Sequence, residues 1–219
     1  MERSRLDRVQ IDVQGELIEI SWDERDALLG KLRILTGFET VSERIREQHL
    51  RKRESLAKFL AGLDRVADAG ASLTAYVLFK PDPAMTDADA VREASASIRF
   101  LAEECAGRRL PLAVRLNPMY VAAGSRWAHA AEGSPSYLPP RLTDVMRVAE
   151  EEARQGVPVY IGLSTEGLSG DRGSYTARND YSPRLIRYVK QFNDGRIARF
   201  PWDEIGLLAA PADRGTDLR

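Results

Sequence analysis

Residues 8–22 alternate between apolar and polar positions. Val9, Ile11 and Val13 lead to Gln14-Gly15, and Leu17, Ile18, Ile20 and Trp22 follow. A period of two broken by a glycine predicts a β-hairpin. Residues 31–36 form a short strand that ends at Gly37. The period then lengthens: Leu56, Phe59, Leu60, Leu63, Val66 and Ala67 share one helical face, and Gly70 supplies a stop. Residues 72–79 are almost wholly apolar and read as a buried strand. Thr86 with Asp89 three residues on is a variant capping box. It opens a helix marked by Val91, Ala94, Ile98, Leu101, Ala102 and Cys105. A strand over 111–116 and a loop over 117–140 come next. Leu142, Val145, Met146, Ala149 and Ala153 line a third helix, which Gly156 closes. A strand over 157–163 leads to a polar loop over 164–180. Ser182-Pro183 is an N-cap followed by proline at the first helical position, and Leu185, Ile186, Val189 and Phe192 form that helix's apolar face.

Strands alternating with helices imply a parallel sheet. Four such strands follow residue 30, and 219 residues are too few for a closed eight-stranded barrel. The expectation is an α/β fold: an open, mostly parallel βα half-barrel with an N-terminal β-hairpin. Residues 1–30 form the hairpin extension, 31–205 the βα repeat and 206–219 a flexible tail without clear period. Ligands of such sheets collect at the carboxyl ends of the strands.

Composition narrows the function. Lys+Arg is 32 and Asp+Glu is 33, a formal charge of −1, which argues against a protein built mainly to coat nucleic acid. Arginine outnumbers lysine 27 to 5, as GC-rich codons would give. The densest basic run, Arg44, Arg46, Arg51, Lys52 and Arg53, is interleaved with Glu43, Glu47 and Glu54 and reads as a solvated helical face. One cysteine, Cys105, cannot build a disulfide within the chain, a zinc site or an iron–sulfur cluster alone. His49 and His129 lie too far apart in sequence for a local metal pair, so no metal is expected, and both read as solvated or packing residues. With no long apolar run and no signal-peptide pattern, a soluble cytoplasmic protein without membrane contact is expected.

The chemistry-bearing residues sit at strand ends. Glu39, two positions after Gly37, is placed to accept from a ribose diol or to act as a base. Lys80 ends an apolar strand, where it could pair with Glu39 across the sheet, meet an anion or simply mark the strand end. Asn117 precedes Pro118, and its amide can read a base edge or bind the loop backbone. Arg172, in Asp171-Arg172-Gly173, is a candidate anion or substrate contact. No phosphate-binding glycine loop or nucleophile elbow is present.

The order of these segments resembles radical SAM enzymes. Residues 32–40 (Leu32-Arg33-Ile34-Leu35-Thr36-Gly37-Phe38-Glu39-Thr40), with Glu43-Arg44-Ile45-Arg46, resemble that family's fourth strand and following helix. Tyr76-Val77-Leu78-Phe79-Lys80-Pro81 resembles the next strand. Arg115-Leu116-Asn117-Pro118-Met119-Tyr120-Val121 with Gly124-Ser125 resembles the one after, and residues 137–141 the lead into a later helix. The likeness covers about residues 31–195 and is nearest to the branch of the archaeosine tRNA-modification protein and the elongator catalytic subunit. It implies a partial barrel with S-adenosylmethionine as cofactor, held around Gly37, Glu39, Thr40, Lys80, Asn117 and Met119. Glu39 would face the ribose or methionine end and Asn117 the adenosine. The family's cysteine loop and glycine-rich segment have no counterpart here, and Arg172-Gly173-Ser174-Tyr175 runs on without a cysteine. The resemblance therefore implies a half-barrel that binds no cluster by itself. Its partner would be a cluster-bearing protein, or a second copy of the chain, covering the open sheet edge. The substrate would be a nucleoside, tRNA or small metabolite, with nucleic-acid binding left open. Two rivals stand beside it: a non-catalytic S-adenosylmethionine, nucleoside or protein-binding subunit, and a non-radical enzyme using Glu39 and Lys80 as an acid–base pair.

Overall fold

The computed structural model describes residues 8–13, 16–21, 32–119, 121–122, 124–134, 137–163, 173–174 and 182–209. Strands β1 (Arg8–Val13) and β2 (Glu16–Ser21) pair antiparallel, Val13 opposite Glu16, as the alternation around Gln14-Gly15 predicts. The βα repeat begins at β3 (Arg33–Glu39). It continues through α1 (Leu56–Asp68), β4 (Ser72–Phe79), α2 (Asp87–Gly107) and β5 (Leu112–Pro118). Helix α4 (Leu142–Arg154) and β7 (Val159–Ile161) follow, then α5 (Pro183–Asn193) and α6 (Trp202–Ala209).

These strands form one four-stranded parallel sheet in the order β3-β4-β5-β7, an α/β fold with an open sheet. The apolar periods become its core. Leu73, Ala75, Val77 and Phe79 of β4 point alternately into one cluster with Phe59 and Leu63 of α1, Ile98 and Leu101 of α2, and Val145 and Met146 of α4. Ser55, Thr86 and Ser182 each accept a backbone N–H at the start of their helices, and Thr86 with Asp89 closes the reciprocal box. Cys105 is buried in that core, and burial pushes its thiol up to about 11.

Three local expectations change. The span 117–140 is not all loop: it holds β6 (Val121–Ala122), paired with β8 (Gly173–Ser174), and helix α3 (Arg126–Glu132). The short alanine-rich helix lies below the length at which periodicity shows. The strand expected over 157–163 keeps three residues; it starts only at Val159, after Pro158, which has no N–H for the ladder. Helix α6 runs to Ala209, into the segment read as aperiodic. Among the described residues no helix is long and apolar enough to cross a membrane.

The two faces of the sheet differ. The helices of the main core cover one face, while the opposite face exposes Leu35 (57%) and Tyr160 (43%). Helix α3 reaches only the carboxyl end of that open face, where Trp127 and Met119 pack with Leu78.

Candidate functional site at the strand ends

Strand β3 does not end as a regular strand. Its ladder slips between Gly37 and Glu39, and Glu39 takes a left-handed backbone, φ 73°. A non-glycine residue in that region costs on the order of 1 kcal/mol or more and persists only where its surroundings hold it. Two cations hold this one. Lys52 Nζ donates to the Gly37 carbonyl and lies 3.5 Å from Glu39 Oε1. The Arg46 guanidinium donates to the carbonyls of Phe38 and Thr40, and at 3.1 Å to that of Glu54. It lies over the rings of Phe38 and Phe59 and is 1% exposed.

The basic run is thus no solvated face at Arg46 and Lys52. Residues 45–49 form a π-helical turn, in which the Leu50 N–H reaches the Ile45 carbonyl. The wider turn aims Arg46 inward and brings Lys52 back over the strand end. Five residues are too few for a period to reveal that inward side, so the alternating charges alone suggested a surface.

Glu39, Lys52, Leu50, Leu78 and Met119 line a depression of about 400 Å³, within the size range of small-molecule sites. A Cβ at Gly37 would overlap the Glu39 carboxylate and come 3.0 Å from Lys52 Nζ, so the missing side chain leaves room for the pair. Across the sheet, a Cβ at Gly162 would overlap the Asn117 amide and come 3.3 Å from Arg115 Nε. Glycines on the two outer strands therefore open space for polar groups on the same face.

Burial raises the Glu39 carboxyl above the ordinary carboxylate range, against the opposing pull of Lys52 and Arg46. A raised pKa means the folded protein favours the protonated form. That contribution is complete below the ordinary carboxylate value and is lost as pH climbs through the raised one. Glu39→Gln is therefore expected to raise the thermal midpoint at pH 7, with the gain shrinking toward pH 4. Melting curves of both proteins across that range check this.

The remaining sequence candidates divide. Gly37, Glu39, Asn117 and Met119 lie on the open face or at its carboxyl end; Glu39 and Met119 line the depression, and Gly37 sits against the Glu39 and Lys52 side chains. Thr40 and Lys80 lie elsewhere. Thr40 is fully buried, and its hydroxyl donates to Glu93 of α2. Lys80 is 2% exposed and left-handed, φ 65°, and donates at 2.9 Å to Asp87 at the start of α2. It forms no acid–base pair with Glu39, which meets Lys52 instead. Lys80 pins β4 to α2, so Lys80→Met is expected to lower stability by about 1–3 kcal/mol, read from urea unfolding. Arg172 lies outside the described residues. His49 is partly exposed, and its Nε2 lies 3.0 Å from Arg44 Nη1 and 3.4 Å from Asp82 Oδ2. Burial pushes the Asp82 carboxyl up, but the Arg44 and Ala84 hydrogen bonds and the nearby cations hold it below its ordinary value. His129 is exposed.

Lys52 and Arg46 are the site residues that sequence reasoning missed. The usable signal was the strand terminus itself, where the carbonyls of Gly37, Phe38 and Thr40 need donors. Among the described residues no three His, Cys, Asp or Glu side chains converge as a metal site would require. No protein-family model matches the chain, and no curated protein matches it.

Proposed function

We propose that this chain is a radical-SAM-like half-barrel that holds S-adenosylmethionine or a closely related nucleoside at its strand ends. It acts with a partner that supplies the iron–sulfur cluster, on a nucleoside, tRNA or small metabolite. The observation that carries this reading is the depression where a left-handed strand end sets the Glu39 carboxylate beside the Lys52 ammonium.

The residues present fit the cofactor. Glu39 can accept from a ribose diol or from the methionine ammonium, and Lys52 can donate to the methionine carboxylate. Leu50, Leu78 and Met119 offer apolar surface in the depression, and outside it the Asn117 amide, opposite Leu78 and against Gly162, offers a donor and an acceptor to a base edge. Arg46 positions the site by fixing the carbonyls on which Glu39 and Lys52 are arranged. The chain's thiol does not fit a cluster: Cys105 is one ligand, buried among apolar side chains of the core. With a cluster on the partner, the cofactor would supply a 5′-deoxyadenosyl radical. This chain's own part is to bind and orient it.

The open sheet edge supports a partner. Parallel sheets are normally covered on both faces, and long exposed edges invite pairing. Co-purification of the tagged full chain from its native host tests this. A cluster-bearing protein retained with it supports the reading, and a strictly monomeric species with no retained partner contradicts it. A second reading, a non-catalytic binding subunit, is favoured by the burial of Lys80 against Asp87, which leaves Glu39 with Lys52 as its nearest cation.

A further inference from the structure

Arg44 and His49 meet across the π-helical turn. The Arg44 fork donates through Nη2 to Asp82 Oδ2 at 2.7 Å and through Nη1 to His49 Nε2 at 3.0 Å. His49 Nε2 is itself 3.4 Å from the same Asp82 oxygen. The wider turn permits this meeting. Positions five apart on an α-helix lie about 140° apart around its axis, whereas a π-helical ring closes over five. Here the ring closes where the Leu50 N–H meets the Ile45 carbonyl at 3.0 Å. One carboxylate therefore gathers both ends of the turn.

Asp82 is firmly placed to do so. It follows β4, its side chain is 4% exposed, and its other oxygen accepts the Ala84 N–H at 2.9 Å. The neighbouring Pro81 carbonyl takes the indole N–H of Trp127 at 2.7 Å, so the loop that carries Asp82 is anchored too. Beyond the turn the chain reverses. Arg51 is left-handed, φ 52°, and the Lys52 N–H returns to the Arg46 carbonyl at 2.8 Å. That reversal carries Lys52 Nζ onto the Gly37 carbonyl and beside Glu39.

We propose that Asp82 is a positioning residue for the strand-end site: by gathering Arg44 and His49 it fixes the π-helical turn, and the turn sets Lys52 beside Glu39. Asp82 and Arg44 line a separate depression with Ser42 and Met85, so they act on the pair through the turn. Charge alone would act in the opposite sense, which makes the two effects separable. Removing the Asp82 anion by itself lowers the pKa of a nearby carboxyl. Releasing Lys52 raises that of Glu39, which burial already pushes up against the pull of Lys52 and Arg46.

This inference rests on the Glu39–Lys52 pair of the proposed function, but its test uses no S-adenosylmethionine, so either can fail alone. The readout is the Glu39 side-chain carboxyl resonance, followed by NMR from acid to neutral pH in the carbon-13-labelled full chain and assigned with Glu39→Gln. Lys52→Met sets the scale and is expected to move the titration midpoint upward. Asp82→Asn keeps an acceptor for the Ala84 N–H but lacks the anion, and is expected to move the midpoint up by a substantial fraction of that shift. Arg44→Lys changes no charge and replaces a half-exposed side chain, so the fold is kept. It loses the fork that spans Asp82 and His49, and is expected to shift the midpoint the same way by less. A midpoint unmoved or lowered in Asp82→Asn overturns the proposal, as does an unmoved midpoint in Lys52→Met. Should Asp82→Asn fail to fold, Arg44→Lys decides alone, and an unmoved or lowered midpoint there overturns it.

Discussion

Arg46→Met is expected to lower the stability of the chain by about 3 kcal/mol, because it removes a buried cation from the groups arranged around it. For a chain of this size that moves the thermal midpoint by about 6–12 °C. Three carbonyls depend on this guanidinium, those of Phe38, Thr40 and Glu54. Methionine can replace the packing on Phe38 and Phe59 but donates no hydrogen bond. The damage is expected to spread in a definite direction. With those side-chain contacts to the Phe38 and Thr40 carbonyls gone, the left-handed Glu39 keeps only Lys52, the Thr40 N–H to Phe38 carbonyl bond and the anchoring of residues 40–41 on α2, so ligand binding at the strand end should fall further than stability alone explains. Arg46→Lys separates the two roles. It keeps the charge but loses the planar fork, and is expected to recover only part of the midpoint. Scanning calorimetry of the three proteins reads the difference, and an unchanged midpoint in Arg46→Met contradicts the clamp.

Gly37→Ala is expected to do the reverse: little change in stability and a large loss of binding. Gly37 lies in a strand, and its backbone is not in the left-handed region that excludes alanine. The atoms its new Cβ would strike are the tips of the flexible side chains of Glu39 and Lys52, which can swing away without moving the backbone. They would then leave the depression, and with them one charge-assisted interaction to the ligand. Such an interaction is worth enough for a loss of about tenfold or more in affinity. Titration calorimetry beside a melting curve checks both halves. A fall in midpoint as large as that of Arg46→Met would mean that Gly37 is structural.

The two variants show which parts of the molecule were legible in the sequence. Strand β4 is apolar at nearly every position and folds as Ser72–Phe79, the span its sequence marks. The box at Thr86 and the proline after Ser182 place two helix starts to the residue. These signals are local, and the chain obeys them locally. The site is different. Glu39 stands out as a carboxylate after a strand, but its partner Lys52 follows a π-helical turn, in a basic run whose charges mimic a surface helix. Lys80 looks equivalent to Glu39 because both follow apolar strands. Their backbones even share a left-handed turn. They part because Glu39 folds back over the open face at Gly37, while Lys80 reaches Asp87 at the start of α2.

The most direct test of the central claim is isothermal titration of S-adenosylmethionine into the purified full chain, with Glu39→Ala as control. The account predicts micromolar binding that the control loses while keeping its fold. No heat of binding up to millimolar concentration, or equal binding by the control, would contradict a cofactor site built on Glu39.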